Sequence, residues 1–277
     1  MNLRFRRLIS QVVFFFSANL GFKIEGIFPG LKTGFCYPFF YCHACPSATA
    51  ACPLRAIEIG VYEGKWNWKL IFYPILIISF VGVISGRGVC GWACPIGLLQ
   101  RVTGKVAKKL KKKQPFLKKL GQHRLEPYLR YLKYIVFIGL VVVTPILVGF
   151  MFTDICPVGY LVGTIPISIL NPGEFSPNEF FYIALVIFIL FIVLIFTVER
   201  GWCRYLCPIG AMLAPFNKVS KYQVSVDKDQ CIHCNICSNE ACPMGIDVPN
   251  MERDPECILC GKCIEACPKD VIKFEGR

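Results

Sequence analysis

The chain has 277 residues, of which 55% are hydrophobic and only 18% are charged. Soluble domains carry roughly 25% charged residues, so this composition excludes an ordinary soluble protein and indicates one that lives in a membrane. The net charge of +13 would suit a nucleic-acid partner, but no nucleic-acid-binding module is recognisable. We therefore expect a lipid bilayer as a partner of this chain, and no nucleic acid.

Four membrane spans are predicted. The first covers about residues 8–22, where no small-residue cleavage site follows the apolar stretch, so it is expected to be an uncleaved span and not a secretory signal. Three longer spans, at about residues 66–85, 131–152 and 179–198, each hold about 20 apolar residues, enough for a hydrocarbon core about 30 Å thick. These three have no interior acidic or basic residue and no histidine, so neither an ion path nor a bis-histidine haem is expected in them.

Five cysteines are predicted to lie at the outer face. Four belong to the segment FCYPFFYCHACPSATAACP, and the fifth follows the third span. The tightest combination for a cluster is Cys42, Cys45, Cys52 and Cys156, which leaves Cys36 over. Disulfide bonds in an oxidising compartment and buried structural thiols are the open alternatives for this set. The segment around these cysteines is apolar and aromatic, so we expect it to dip into the bilayer.

The distribution of charge predicts the orientation of the spans. The stretch Arg87–Arg130 holds 12 lysine and arginine residues and one acidic residue, and the positive-inside rule assigns it to the cytoplasm. The loop Asp154–Pro177 contains no lysine or arginine and is assigned to the opposite side. Both termini are then expected in the cytoplasm.

An internal repeat carries the inner cysteines. RGVCGWACPIG at Arg87–Gly97 matches RGWCRYLCPIG at Arg200–Gly210, at an offset of 113 residues. The proline after the second cysteine suits the first position of a helix, where the helix dipole would lower the pKa of the thiol and stabilise an anionic cluster. A pseudo-twofold axis would bring four ligands to one site, namely Cys90, Cys94, Cys203 and Cys207. Both [4Fe–4S] and [2Fe–2S] clusters take four cysteines, and simple packing of cysteines at helix ends is the alternative.

Two ferredoxin motifs end the cysteine pattern, CIHCNICSNEACP from Cys231 and CILCGKCIEACP from Cys257. In such motifs three cysteines bind one cubane, and the fourth, before proline, binds the other. Crossed ligation predicts one [4Fe–4S] cluster on Cys231, Cys234, Cys237 and Cys267, and a second on Cys257, Cys260, Cys263 and Cys242. Zinc also binds paired C-x-x-C motifs, but it requires neither the third evenly spaced cysteine nor the Cys-Pro. The flanking stretches VSVDKDQ and VIKFEG predict two short strands that pair.

The predicted architecture has two parts. Residues 1–220 form an all-α integral membrane bundle of four transmembrane helices in two pseudo-repeats, with cysteine half-sites at both faces. Residues 221–277 form a small α+β ferredoxin-like domain that binds two [4Fe–4S] clusters. Two further iron–sulfur clusters are expected in the membrane domain, and neither haem nor nucleotide is expected.

The paired RG-x-C-x-x-x-C-P-I-G motifs, followed by a double ferredoxin motif, resemble the NapH/MauN-type membrane-bound polyferredoxin family, which is related to NosR-like proteins. The resemblance runs from Trp66 to Phe274. It implies a quinol-linked electron carrier or maturation reductase in a prokaryotic inner membrane, working with redox partner proteins. The inner cysteines and the ferredoxin cysteines match the pattern of the family, whereas the outer cysteines are additional.

These patterns predict a transmembrane electron wire between an outer-face redox partner and the cytoplasmic ferredoxin domain. No nucleophile, carboxylate pair or nucleotide-binding glycine loop is recognisable, so substrate chemistry is expected in a partner. A NapH-like subunit that receives electrons from quinol within the membrane is one alternative. An iron–sulfur sensor or metalloenzyme maturation factor is the alternative of another class.

Overall fold

The computed structural model describes residues 3–21, 33–42, 45, 47–113, 126–170 and 179–276. Phe22 at the end of the first predicted span lies outside the described residues, as do residues 114–125 of the basic loop and 171–177 of the outer loop. The side chains of the lysines at 108–113 also lie outside them. Within the described part, the chain is mostly helical.

The first helix and the outer cysteine segment pack together. Helix α1 covers Leu3–Ala18, and the backbone N–H of Thr49 donates a hydrogen bond of 3.1 Å to the carbonyl of its last residue. The three aromatic residues at 39–41 are only 2–3% exposed. These three aromatic residues are therefore part of the core of the protein.

One helix in the described residues is long and apolar enough to cross a membrane. Helix α2 (Pro53–Val61) leads into this helix, α3 (Trp68–Ser85), which has 18 residues, a mean hydropathy of 1.9 and only 17% of its residues buried. It coincides with the second predicted span. The third and fourth predicted spans coincide with shorter apolar helices, Leu132–Leu147 and Phe181–Thr197.

The two halves of the repeat fold in the same way. In each, an apolar helix is followed by a five-residue helix that carries the first cysteine and then by a helix that begins at the proline after the second cysteine. Proline is favoured there because its missing N–H would have no partner in the first turn. The remaining helices are α4 (Gly88–Trp92), α5 (Pro95–Lys113), α6 (Glu126–Leu129), α7 (Leu132–Leu147), α8 (Pro157–Ile169), α9 (Phe181–Thr197), α10 (Gly201–Tyr205) and α11 (Pro208–Leu213).

The C-terminal part is built on a two-stranded antiparallel sheet. Strand β1 (Tyr222–Val226) pairs with β2 (Ile272–Gly276), with Val224 opposite Phe274. The pairing of these two stretches is confirmed. A π-helical turn, Cys237–Ala241, and helix α12 (Lys262–Ala266) lie between the strands.

The C-terminal part packs directly on the first half of the repeat. The side-chain amide of Asn217 donates to the carbonyl of Cys257 at 2.7 Å and accepts from the backbone N–H of Arg87 at 2.7 Å. The indole N–H of Trp92 donates to the carbonyl of Leu259 at 2.8 Å. The second ferredoxin motif therefore lies against α4 and the inner cysteines.

Candidate iron–sulfur sites

The structure brings the four inner cysteines together. Each is 4–6% exposed, and every pair of the four thiols lies within electrostatic range, namely Cys90, Cys94, Cys203 and Cys207. Burial raises the pKa of the Cys94 thiol to about 12, although the amides of the following helix act in the opposite direction. The amides at the start of the helix lower the pKa of this thiol as expected, but desolvation outweighs them, so the net shift is upward. Binding of a cluster would have to displace these protons.

Two arginines join the two halves of the inner site, because each donates a hydrogen bond to the other half. Arg87 donates to the carbonyl of Cys203 at 2.9 Å, and Arg200, its counterpart in the repeat, donates to the carbonyl of Cys90 at 3.1 Å. The two are 0% and 1% exposed. This exchange of contacts between halves supports the pseudo-twofold arrangement. Sequence reasoning did not assign these arginines a role at the site, although an arginine begins both halves of the repeat.

The inner site fits an anionic iron–sulfur cluster. Two buried donor atoms, Arg87 Nε and Trp202 Nε1, have no hydrogen-bond partner among the described residues. Gln100 Nε2 donates to the Cys203 sulfur at 3.1 Å. Four thiolates around a cluster carry negative charge, which nearby guanidinium groups and N–H donors stabilise. The donors and charges around these cysteines are thus those that such a group requires.

The ferredoxin cysteines line two separate cavities in the crossed arrangement. One cavity, with about 340 Å³ of empty space, is lined by Cys242, Cys257, Cys260 and Cys263. The other, with about 370 Å³, is lined by Cys231, Cys234, Cys237 and Cys267. No three His, Cys, Asp or Glu side chains in the described part of the chain are placed to hold a single metal ion. The thiols instead form two groups of four, each group lining a cavity of its own.

Loops between these cysteines repeat the same unusual backbone conformation. His233 and Asn235 have φ values of 49° and 55°, and the equivalent residues of the second motif, Leu259 and Gly261, have 48° and 68°. Left-handed backbone is uncommon for residues other than glycine and carries a free-energy cost. Alternation of left- and right-handed residues turns successive N–H groups towards one point, which creates a concave site for an anion. Both motifs therefore have the backbone of an anionic cluster site.

At the outer site, three of the four predicted ligands lie together. The thiols of Cys42, Cys52 and Cys156 are within electrostatic range of one another, and a Cβ at Gly159 would lie 3.3 Å from the Cys42 sulfur. For Cys45, the described contacts are with other side chains, including the Ser47 hydroxyl at 3.0 Å. All 17 cysteines are free thiols.

Helix α2 is fastened to the turn before Cys156. Arg55 donates to the carboxylate of Asp154 at 2.8 Å, and the fully buried Glu58 accepts from the backbone N–H of Thr153 at 3.2 Å. Burial raises the pKa of Glu58 to about 7. These contacts hold Cys52, which precedes α2, next to Cys156.

Residues next to each cysteine group are in contact with the neighbouring group or its surroundings. The Cys94 thiol lies 3.9 Å from the carbonyl of Phe40, which is two residues from Cys42 and whose ring stacks on Trp202 at 5.9 Å. On the other side, Arg87 reaches Glu256, the residue before Cys257, at 2.8 Å. These contacts join the outer segment to the inner cysteines, and the inner site to the second ferredoxin motif.

Comparisons with known proteins identify iron–sulfur binding domains in this chain. A family described as "4Fe-4S binding domain" matches residues 66–114 and 180–224, so each matched stretch contains one half of the inner repeat. A second family with the same description matches residues 252–273, a stretch that contains the second ferredoxin motif.

An uncharacterised protein of Methanocaldococcus jannaschii is 33% identical over 97% of this chain and 94% of its own length. The ferredoxin-type protein NapH of Haemophilus influenzae is 27% identical over 73% of this chain and 67% of its own length. The regulatory protein NosR of Stutzerimonas stutzeri is 29% identical over 72% of this chain, but the match covers only 26% of NosR.

This chain belongs to the NapH-type polyferredoxin family, which is related to NosR. The resemblance predicted from the repeat and the ferredoxin motifs is confirmed. Membership identifies iron–sulfur clusters as the cofactors of this polyferredoxin and electron transfer as its role. No solved structure matches the chain.

Proposed function

We propose that this polyferredoxin is a transmembrane electron wire. It carries electrons between a redox partner at the outer face of a prokaryotic inner membrane and its own cytoplasmic ferredoxin-like domain. In this proposal the membrane domain covers residues 1–220, crosses the bilayer at about residues 8–22, 66–85, 131–152 and 179–198, and leaves both termini in the cytoplasm. The ferredoxin-like domain covers residues 221–277.

The observation that carries the proposal is the contact between the inner cysteine Cys94 and the outer cysteine segment. Only Tyr41 separates Cys42 from Phe40, whose carbonyl the Cys94 thiol contacts at 3.9 Å. A hydrocarbon core is about 30 Å thick, which is too far for one efficient electron step. A series of cysteine groups through the protein would divide that distance.

The residues of the chain have three tasks in this function. The proposed ligands are the inner four, the two crossed ferredoxin sets, and the outer set Cys42, Cys45, Cys52 and Cys156. When bound, iron–sulfur clusters supply one-electron redox chemistry at potentials that the protein tunes by burial, charge and hydrogen bonds to sulfur. The buried aromatic residues at 39–41 exclude water between the outer and inner groups. Arg87 and Arg200 place positive charge beside the inner group.

Replacing one outer cysteine tests the proposal. Cys156→Ser in the full-length chain should lose the iron of one cluster and keep the spectroscopic signals of the ferredoxin domain. Cys36→Ser is the matched control, because Cys36 is also buried in the outer segment but lies outside the proposed set. This control should retain all of its iron.

Two other results would count against an outer cluster. If an outer disulfide bond existed, Cys156→Ser would cost about 2–4 kcal/mol of stability and no iron. Iron contents that match the unmodified protein in both variants would refute the outer cluster. Electron entry from quinol within the membrane would then explain the ferredoxin domain better.

A regulatory or maturation role is a second candidate, since the name of one relative, NosR, describes it as a regulatory protein. A sensor would respond to loss of a cluster by changing the activity of another protein. A wire needs only to exchange electrons.

A further inference from the structure

A basic cavity lies where α1, α5 and the ferredoxin-like part meet. It has a volume of about 450 Å³, and it is lined by five cationic side chains and by only two carboxylates. The cations are Arg4, Arg7, Arg101, Lys105 and Lys262. The cavity is separate from the two that the ferredoxin cysteines line.

Arg7 is the residue that makes this cavity suitable for binding an anion. Its side chain is buried, with the residue 2% exposed, and one guanidinium nitrogen donates to the carbonyl of Cys260 at 2.8 Å. The other two nitrogens, Nε and Nη2, have no hydrogen-bond partner among the described residues. A buried guanidinium with unpaired donors is costly unless an acceptor is bound.

Apart from the Cys260 thiol, whose charge also acts on Arg7, the side chains around it do not supply that acceptor. Arg4 is paired with Glu265 at 2.5 Å, and Lys262 with Glu199 at 2.8 Å. Arg101 donates to the carbonyl of Arg4 at 3.0 Å, so it adds positive charge to the cavity. The site therefore retains an excess of positive charge and open donors.

The apolar residues beside the cavity indicate which kind of molecule the bound anionic group belongs to. Phe5 and Leu8 line it, and they are 53% and 38% exposed on the side of α1. The exposed apolar surface continues along the same helix at Ile9 and Val13. A free phosphate would use only the charged cavity, whereas a phospholipid would place its headgroup there and its chains along α1.

We propose that this cavity binds the phosphate group of an anionic phospholipid, and so fastens the ferredoxin-like part to the inner membrane surface. The inference rests on the membrane placement proposed above, but not on the electron wire. The phosphate accepts hydrogen bonds from the two unpaired nitrogens of Arg7. Arg101 and Lys105 balance its charge.

The test is a lipid titration of the full-length, cluster-loaded protein in detergent, followed by native mass spectrometry. Phosphatidylglycerol should bind as one tightly held lipid for each chain, and phosphatidylcholine should bind more weakly. Arg7→Gln should weaken phosphatidylglycerol binding about tenfold or more, since it removes charge-assisted hydrogen bonds. Lys105→Gln should weaken it less, and it serves as a second variant if Arg7→Gln fails to fold.

Arg6→Gln is the matched control, because Arg6 is exposed on the same helix and does not line the cavity. It should leave the affinity for phosphatidylglycerol unchanged within about twofold. Equal weakening in Arg6→Gln and Arg7→Gln would overturn the site in favour of general surface attraction. Binding of inorganic phosphate alone, with competition against the lipid, would overturn the lipid as its source. Neither outcome depends on whether the outer cysteines hold iron, so failure here is distinct from failure of the wire.

Discussion

At the scale of single residues, the inner site depends on a buried charge that both halves of the chain supply. Arg200 donates to two backbone carbonyls, those of Cys90 and Gly97, at 3.1 and 3.2 Å. It also lies within electrostatic range of the Cys90 thiol. A positive charge at this position favours the reduced, more negative form of a bound cluster.

Removing this charge should therefore lower the midpoint potential of the proposed inner cluster. We expect Arg200→Gln to shift it downwards by about 60 mV, which is a tenfold change for a one-electron couple. Arg200→Lys keeps the charge and should restore most of the potential. A redox titration followed by electron paramagnetic resonance measures both variants. Equal shifts in the two would show that geometry, and not charge, sets the potential.

Glu58 makes the stability of the outer site depend on pH. Burial raises its pKa from 4.5 to about 7, so the folded chain holds the proton more tightly than the unfolded chain does. Stability is therefore lost as the pH rises from about 4.5 to about 7. The full effect would be on the order of 3 kcal/mol.

Glu58→Gln should remove this part of the pH dependence. Thermal unfolding in detergent at about pH 5 and about pH 8 would measure it, with a smaller difference expected in the variant. Glu63→Gln is the control, because Glu63 is exposed and paired only with Lys65, at 3.4 Å. The explanation is wrong if the unmodified protein is more stable at the higher pH.

At the scale of elements, spacing in the sequence predicted what is local and repeated. The helices that begin at proline, the two strands and the proposed crossed ferredoxin sets are each indicated by a short motif, even where the segments that meet are distant in the chain. Other contacts between distant segments have no such motif. Glu256 meets Arg87 across 169 residues of chain, and the approach of Phe40 to Cys94 spans 54.

Lys133 forms a buried ion pair that the sequence of its predicted span does not indicate. It lies in the first turn of α7, within the third predicted span, and it is fully buried and hydrogen-bonded to Glu256. Because Lys133 lies at the start of the span, it does not contradict the expectation that the interior of the long spans holds no ionisable residue. The partner comes from the ferredoxin-like part, so the sequence of the span alone could not reveal the pair.

The glycines of the CPIG motifs test the packing of α5 on α4. A Cβ on Gly97 would lie 2.5 Å from the carbonyl of Cys90, which demands movement of a ligand-bearing helix. We expect Gly97→Ala to cost about 1–3 kcal/mol and to reduce the iron of the inner cluster. Gly139→Ala is the control, since nothing lies within 4 Å of a Cβ there. Iron content and thermal unfolding would be measured for both variants. Equal iron contents and equal stabilities would contradict the close contact between Gly97 and Cys90.

At the scale of the whole molecule, the family could be predicted from the sequence, but the fit of the parts could not. Composition predicted four spans, while α3 is the one described helix that meets the length and hydropathy for crossing a membrane. The C-terminal part docks on the inner repeat through hydrogen bonds from Asn217 and Trp92. Such docking depends on complementary surfaces, which motif spacing does not encode.

Electron transfer across a sealed membrane tests the central claim most directly. The protein would be placed in quinone-free lipid vesicles with an enclosed electron-accepting dye, and a reductant that cannot cross the bilayer would be added outside. We predict that the enclosed dye is reduced only in vesicles that contain the protein, and that Cys156→Ser abolishes the reduction while Cys36→Ser does not. A dye that stays oxidised until quinone is added would contradict the wire.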